Sequence, residues 1–256
     1  MPAQNTLPAN WGICPVLHFG PAQVTTYALA MGLALAAAYL LFRRNARRAG
    51  VAPNQPLPVL LAALIGGIIG AKVPVWLMQI PAWRQGLFRW DTFFAGRTIV
   101  GGLLGGVLAV WLVKRCLGIR TRYGNLLAPS IALGMAIGRM GCLLTGCCHG
   151  TPTTLPWGVN FGDGVPRHPT QFYEVLFLLP AVFVLQRQLP RAAPGQLLSG
   201  FCATYFALRF IEEFIRPTPR MAGLSEFQWI CLAGLATLEI KEYLWSRRTA
   251  KRAACA

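Results

Sequence analysis

Gly138-Arg139-Met140-Gly141-Cys142, continuing through Gly146-Cys147-Cys148-His149-Gly150, places an arginine, three thiols and an imidazole at the end of a long apolar segment. An arginine at the centre of a membrane helix costs about 2.5–3.5 kcal/mol on insertion scales, so one that persists there meets an anion or a water-filled cavity. A second constellation is Tyr205, Arg209, Glu213 and Arg216, at spacings of four, four and three. On a continuous α-helix these four stack along one face, with Glu212 pointing elsewhere. An Arg209–Glu213 ion pair accounts for part of that face and leaves Arg139 and Arg216 unassigned. Guanidinium is a planar fork of donors that matches phosphate oxygens two at a time. Arginines converging at the outer end of a helix bundle therefore point to a phospholipid headgroup site.

The thiols admit another chemistry. Cys142, Cys147 and Cys148 with His149, joined or not by His168, are residue types that bind soft metals or exchange disulfides. Against this, the spacing matches no standard zinc pattern, and the vicinal pair Cys147-Cys148 is awkward for two ligands of one tetrahedral ion. A disulfide between adjacent residues is strained. The expectation is therefore no metal and no cofactor. Cys14, Cys116, Cys202, Cys231 and Cys255 are scattered and read as small apolar residues or surface thiols. A Ser-His-Asp arrangement is not assembled, because neither Asp91 nor Asp163 is near a plausible serine nucleophile.

The elements that hold these residues are membrane helices. The chain has 256 residues, of which 12% are charged and 55% hydrophobic; a soluble domain carries about 25% charged residues. Continuous apolar stretches of spanning length recur along the whole chain, which excludes the alternating pattern of a closed barrel. The expected fold is a single all-α domain over 1–256 with seven transmembrane helices. They fall at 22–42, 57–80, 99–117, 125–147, 170–187, 196–216 and 227–246.

The net charge of +16 raises the question of nucleic acid, and its placement answers it. Arg43, Arg44, Arg47, Arg48, Lys114, Arg115, Arg120, Arg122, Arg187, Arg191, Arg247, Arg248, Lys251 and Arg252 all follow odd-numbered spans. Arg84, Arg89, Arg97, Arg167, Arg216 and Arg220 are the fewer on the opposite side. The positive-inside rule then predicts an external N-terminus and a cytoplasmic C-terminus, with 247–256 as a basic cytoplasmic tail. The basic excess reads as topology and contact with anionic lipid, and no nucleic-acid partner is expected. Residues 1–20 lack the basic and apolar order of a cleavable signal peptide and read as an external lead-in, with Trp11 suited to the interface. Gly66-x-x-x-Gly70, Gly101-x-x-x-Gly105 and Gly134-x-x-x-Gly138 permit close helix packing, or leave room for a bulky lipid.

Taken in order, these polar elements resemble the bacterial prolipoprotein diacylglyceryltransferase family over most of the chain. Tyr27 sits as in the family's first helix, and Gly70-Ala71-Lys72 is similar to its Gly-Ala-Arg. Arg167-His168-Pro169-Thr170-Gln171-Phe172-Tyr173-Glu174 resembles its Arg-His-Pro-Ser-Gln-Leu-Tyr-Glu. Gly138-Arg139-Met140-Gly141 begins its signature, and Arg209-Phe210-x-x-Glu213-x-x-Arg216 and Gly223-Leu224-Ser225-x-x-Gln228 are similar to its C-terminal motifs.

The resemblance implies a multi-pass enzyme of the bacterial cytoplasmic (inner) membrane. Such an enzyme moves the diacylglyceryl group of phosphatidylglycerol, or a related anionic phospholipid, to the lipobox cysteine in the signal peptide of a lipoprotein precursor. It implies that Arg139 and Arg209 hold the phosphate, that Glu213 and Arg216 position the headgroup or each other, and that Tyr205 hydrogen-bonds nearby. Tyr27, Gly150, Gln171 and Tyr173 are further candidates. The chain departs from the pattern at Val100, where the family has histidine, and at Cys142, Thr145 and Cys147, where its signature has asparagine, asparagine and glutamate. These departures leave the base open, with His149 or His168 as substitutes. They also keep two alternatives: a transferase using another donor or acceptor, and a non-catalytic lipid-binding or thiol protein of the membrane.

Overall fold

The computed structural model describes residues 11–19, 22–52, 56–88, 90, 93, 96, 98–119, 121 and 123–254, without the side chains of Phe19, Ala22 and 241–254. Arg89, Asp91, Arg97, Arg120, Arg122, Cys255 and residues 1–10 lie outside the described residues, as do the side chains of the basic tail. Among the described residues the α-helices are α1 (Thr26–Arg48), α2 (Leu57–Arg84), α3 (Ile99–Cys116), α4 (Gly124–Leu144), α5 (Thr170–Gln188), α6 (Gln196–Glu212) and α7 (Glu226–Ala254). Each expected span overlaps one of these helices. Four, α1 to α4, are long and apolar enough to cross a membrane.

Three short antiparallel hairpins punctuate the helices: β1 (Val16–Phe19) with β2 (Ala22–Thr25), β3 (Val159–Asn160) with β4 (Pro166–Arg167), and β5 (Arg220–Met221) with β6 (Leu224–Ser225). The first corrects an expected boundary. Residues 22–25 are not helical but pair with 16–19, and α1 starts only where the Thr25 hydroxyl accepts from the Ala28 N–H.

The described residues fall into two packing units. One comprises the described residues of 11–50, 123–201 and 212–218; the other comprises those of 51–121, 202–211 and 219–254. In the first, α1 and α4 run antiparallel with small residues at the seam. Ala128, Ala132 and Ala136 are fully buried, and a side chain at Gly134 would meet Ala34 and Ala38, while one at Gly141 would meet Ala30. Helix α5 also packs against α4. Asn125 clamps the α5–α6 turn, its amide donating to the Ala193 carbonyl at 2.8 Å and its Oδ1 accepting from the Gly195 and Leu197 amides.

The second unit is built on α2 against α3, where Gly66 and Gly70 face the backbone of Gly101 and Gly105. This is the close approach that glycine spacing allows, because apolar chains gain little from leaving lipid and depend on van der Waals contact. Thr98 starts α3, its hydroxyl accepting from the Gly101 amide at 3.2 Å. Leu33, Leu40, Ile65, Ile68, Leu77 and Leu108 are exposed, as expected of helices whose solvent is hydrocarbon.

Candidate active site

Arg139 occupies the penultimate turn of α4 and is buried. Its guanidinium contacts Glu174 Oε1 of α5 at 2.5 Å, both side chains being almost entirely enclosed. The expectation of an unassigned arginine is thereby corrected. Its carboxylate partner lies 35 residues away, on the buried face of α5 that also carries Thr170, Gln171, Val175 and Leu178.

Beyond Leu144 the chain forms a tight turn rather than continuing the helix to 147. Gly146 and Cys148 both have positive φ, 70° and 63°, which for a non-glycine residue costs about 1–3 kcal/mol unless its surroundings hold it. They do so here. Thr170 donates through its hydroxyl to the Cys148 carbonyl at 2.7 Å, and Gln171 donates through its amide to the Cys147 carbonyl. The His168-to-Glu174 segment therefore clamps the cysteine turn and pairs with Arg139. Gln171 and Glu174 are both buried, so the clamp works in a dry environment where a lost hydrogen bond is expensive.

The turn brings Cys142, Cys147 and Cys148 together, their three sulfurs within 4.8 Å of one another. The Thr145 hydroxyl lies 3.4 Å from the Cys147 sulfur. The Cys148 thiol, outside the helix, is held well below its ordinary value. The largest cause is hydrogen bonding from the Cys142 and then the Cys147 thiol; against the cost of burial, the charges of Arg216 and Arg139 act in the same direction.

Gly150 is the point where three segments meet. Its amide donates to the His168 carbonyl at 2.8 Å, and the Thr151 amide donates to the Ile215 carbonyl at 2.8 Å. A methyl group at Gly150 would lie 2.7 Å from both that carbonyl oxygen and His168 Cβ, so only glycine lets the segments close. This joint fixes the approach of Arg216 to the turn.

The expected single helical face over 205–216 is also corrected. Helix α6 ends at Glu212, Glu213–Ile215 is a 3₁₀ turn, and Arg216 is extended. The tighter turn changes the angular spacing, so the four residues do not share one α-helical stripe. Glu212, expected to point elsewhere, is buried along with Glu213 and Arg216. Glu213 Oε1 accepts from the Thr218 hydroxyl at 2.6 Å. Tyr205 and Arg209 belong to the second unit, where both are buried.

Trp157 Nε1 donates to the Tyr173 hydroxyl at 3.0 Å, and that hydroxyl lies 3.1 Å from His168 Nδ1; a phenol both donates and accepts, so the contact is compatible with either His168 tautomer. The His149 Nδ1 faces the Gly150 carbonyl at 3.0 Å, which can only accept, so in the neutral ring Nδ1 carries the proton and Nε2 keeps a lone pair. The His149 ring lies against Phe161 and Trp11, and Trp11, expected at the membrane interface, donates to the Gly146 carbonyl at 3.1 Å. Tyr27, half-buried in the first turn of α1, has its Cα beside Gly141. Val100 is buried at the start of α3 in the second unit.

An apolar groove of about 690 Å³ runs beside the site, lined by Ile13, Leu143, Phe172, Tyr173 and Leu176 among others. Sequence spacing carried no sign of it, since its walls come from four separate segments.

The family model for prolipoprotein diacylglyceryl transferase matches residues 15–240. The chain belongs to this family. It is 33% identical to a phosphatidylglycerol–prolipoprotein diacylglyceryl transferase of Methylococcus capsulatus over 238 residues, covering 87% of this chain and 88% of that one. A protein of the same name from Solidesulfovibrio magneticus is 32% identical over 258 residues, covering 90% and 91%. One from Bordetella parapertussis is 31% identical over 238 residues, covering 84% and 88%. The family match spans six of the expected helices and most of the seventh, together with Arg139, Arg209, Arg216 and the cysteine turn.

Proposed function

We propose that this chain is a phospholipid-dependent transferase that moves the diacylglyceryl group of phosphatidylglycerol, the donor named for its relatives, to the cysteine thiol of a prolipoprotein. The observation that carries the proposal is family membership over residues 15–240. The buried guanidinium of Arg139 beside an apolar groove supports it.

In the reaction the acceptor thiol loses its proton, and its sulfur attacks the glycerol carbon bound to the phosphate ester oxygen. The carbon–sulfur bond forms as the carbon–oxygen bond breaks, and the electron pair leaves with glycerol phosphate. Charge grows on the phosphate, so fixed cations aimed at it lower the barrier. Arg139 and Arg216 take that role in the first unit. Arg139 carries a planar fork of five donors suited to phosphate oxygens, and Glu174 holds that fork in place. Arg209 and Tyr205 keep the phosphate and hydrogen-bonding roles that the resemblance implies, and Glu213 orients the headgroup. The groove takes an acyl chain. His149 Nε2 is the base in place of the family's histidine at Val100, with a partly ionised thiol lowering what is asked of it. The chain crosses the bacterial cytoplasmic membrane seven times, N-terminus outside and C-terminus inside.

Purified protein in phosphatidylglycerol vesicles, mixed with a lipobox peptide, should add a diacylglyceryl mass to the peptide cysteine. Arg139→Ala should lower that rate by about a hundredfold to a thousandfold. No modified peptide with any anionic phospholipid would refute the proposal. A second reading follows from Cys142, Thr145 and Cys147: the same scaffold acting on another acceptor. Deletion cells with normal lipoproteins and a missing lipid product would favour it.

A further inference from the structure

We propose that Cys142, Cys147 and Cys148 form a three-thiolate site for one soft d10 cation, Cu(I) first among them. Vicinal cysteines ordinarily point apart, which argues against two ligands for one ion. Here the left-handed Cys148 backbone, φ 63°, turns the second thiol back, and all three sulfurs lie within 4.8 Å of one another. Metal–sulfur bonds of about 2.3 Å place the sulfurs of a trigonal site about 4.0 Å apart, so the turn has less than an ångström to close.

The donor set selects the ion. Thiolates without carboxylate or imidazole favour soft ions over calcium, magnesium or manganese. No histidine or carboxylate joins the cluster among the described residues, and His149 is turned toward the Gly150 carbonyl and two aromatic rings. Three donors with no fourth suit trigonal Cu(I) better than tetrahedral zinc.

The surroundings are those of a held site. The Thr145 hydroxyl donates to the Gly141 carbonyl at 2.9 Å and lies 3.4 Å from the Cys147 sulfur, and Thr170 and Gln171 pin the carbonyls of the two vicinal cysteines; supporting bonds of this kind keep ligands in place. Cys142 is buried, and Cys147 and Cys148 are half-buried. Each thiol that coordinates releases its proton to solvent as its metal–sulfur bond forms.

The test uses the full chain in detergent, reduced and kept anaerobic, titrated with Cu(I) against a chromogenic Cu(I) chelator. One equivalent should be retained, with X-ray absorption giving three sulfur neighbours at about 2.3 Å. Cys142→Ser, Cys147→Ser and Cys148→Ser should each weaken binding on the order of a hundredfold. Cys202→Ser and Cys231→Ser, in the other unit, should leave it unchanged. Half-buried Cys147 is the variant least able to disturb folding, and wild-type stoichiometry and sulfur count need no variant at all. Two outcomes would each overturn the proposal: no retained ion, or retention that survives Cys147→Ser and Cys148→Ser together.

Discussion

Replacing Glu174 by glutamine separates the charge of the Arg139–Glu174 pair from its shape. At the observed 2.5 Å, Coulomb attraction at an effective dielectric near 20 amounts to about 7 kcal/mol before desolvation is subtracted. Removing one partner of such a pair leaves a buried, uncompensated charge, and the usual cost is about 3–5 kcal/mol. For a chain of this size each kcal/mol moves the unfolding midpoint by about 2–4 °C, so Glu174→Gln should lower it by roughly 6–20 °C. Arg139→Gln should cost a comparable amount, and the double variant much less than the sum, because neither charge is then stranded. Thermal unfolding in detergent, followed by helicity, supplies all four corners of the cycle. If Arg139 also meets lipid phosphate, phosphatidylglycerol should raise the midpoint of Glu174→Gln more than that of the wild type. A Glu174→Gln midpoint within a degree or two of wild type, together with additive double-variant effects, would refute the assignment of Glu174 as the partner that holds Arg139.

A leucine at Gly105 would drive into Gly70 Cα, which a bare Cβ already meets at 2.6 Å; Gly105→Leu should cost at least about 1–3 kcal/mol in unfolding. Gly200→Ala, where a Cβ meets nothing within 4 Å, should instead gain up to about 1 kcal/mol from helix propensity. Gln171→Ala removes the donor to the Cys147 carbonyl, and at about 1–3 kcal/mol for that bond alkylation of Cys147 should quicken by roughly fivefold to a hundredfold, read by mass spectrometry. The Asp163 carboxyl is held below its ordinary value of 3.8, first by its hydrogen bond from Arg167. Its contribution to the β3–β4 hairpin is therefore complete above the ordinary carboxylate range and lost as pH falls through the depressed value. Exchange of the Val165 amide, which donates to Asp163 Oδ1, should lose its protection over that acid range, and Asp163→Asn should not show the change.

Helix positions were legible because hydrocarbon imposes one rule everywhere: about 20 apolar residues with their backbone bonds satisfied internally. The glycine pairs of α2 and α3 were legible for a related reason, since i, i+4 glycines mark a face close to another backbone. The end of α6 was not. Residues 205–216 carry helical spacing, but Glu213–Ile215 tighten into a 3₁₀ turn and Arg216 leaves the helical path. Nothing local in the run announces that, because the Thr151–Ile215 bond that holds the exit joins segments far apart in sequence.

The residue types themselves were determined by sequence alone: which segments suit the bilayer, that Arg139 stands in an apolar stretch, and that three thiols stand within seven residues. Tertiary structure decided their partners. Glu174 reaches Arg139 only because α5 packs on α4, and the three thiols converge only because Thr170 and Gln171 hold Cys148 in a backbone conformation it would not choose alone. Periodicity reports which face of one element is buried; which charge or carbonyl waits on the facing element depends on register between segments, and that is set by packing.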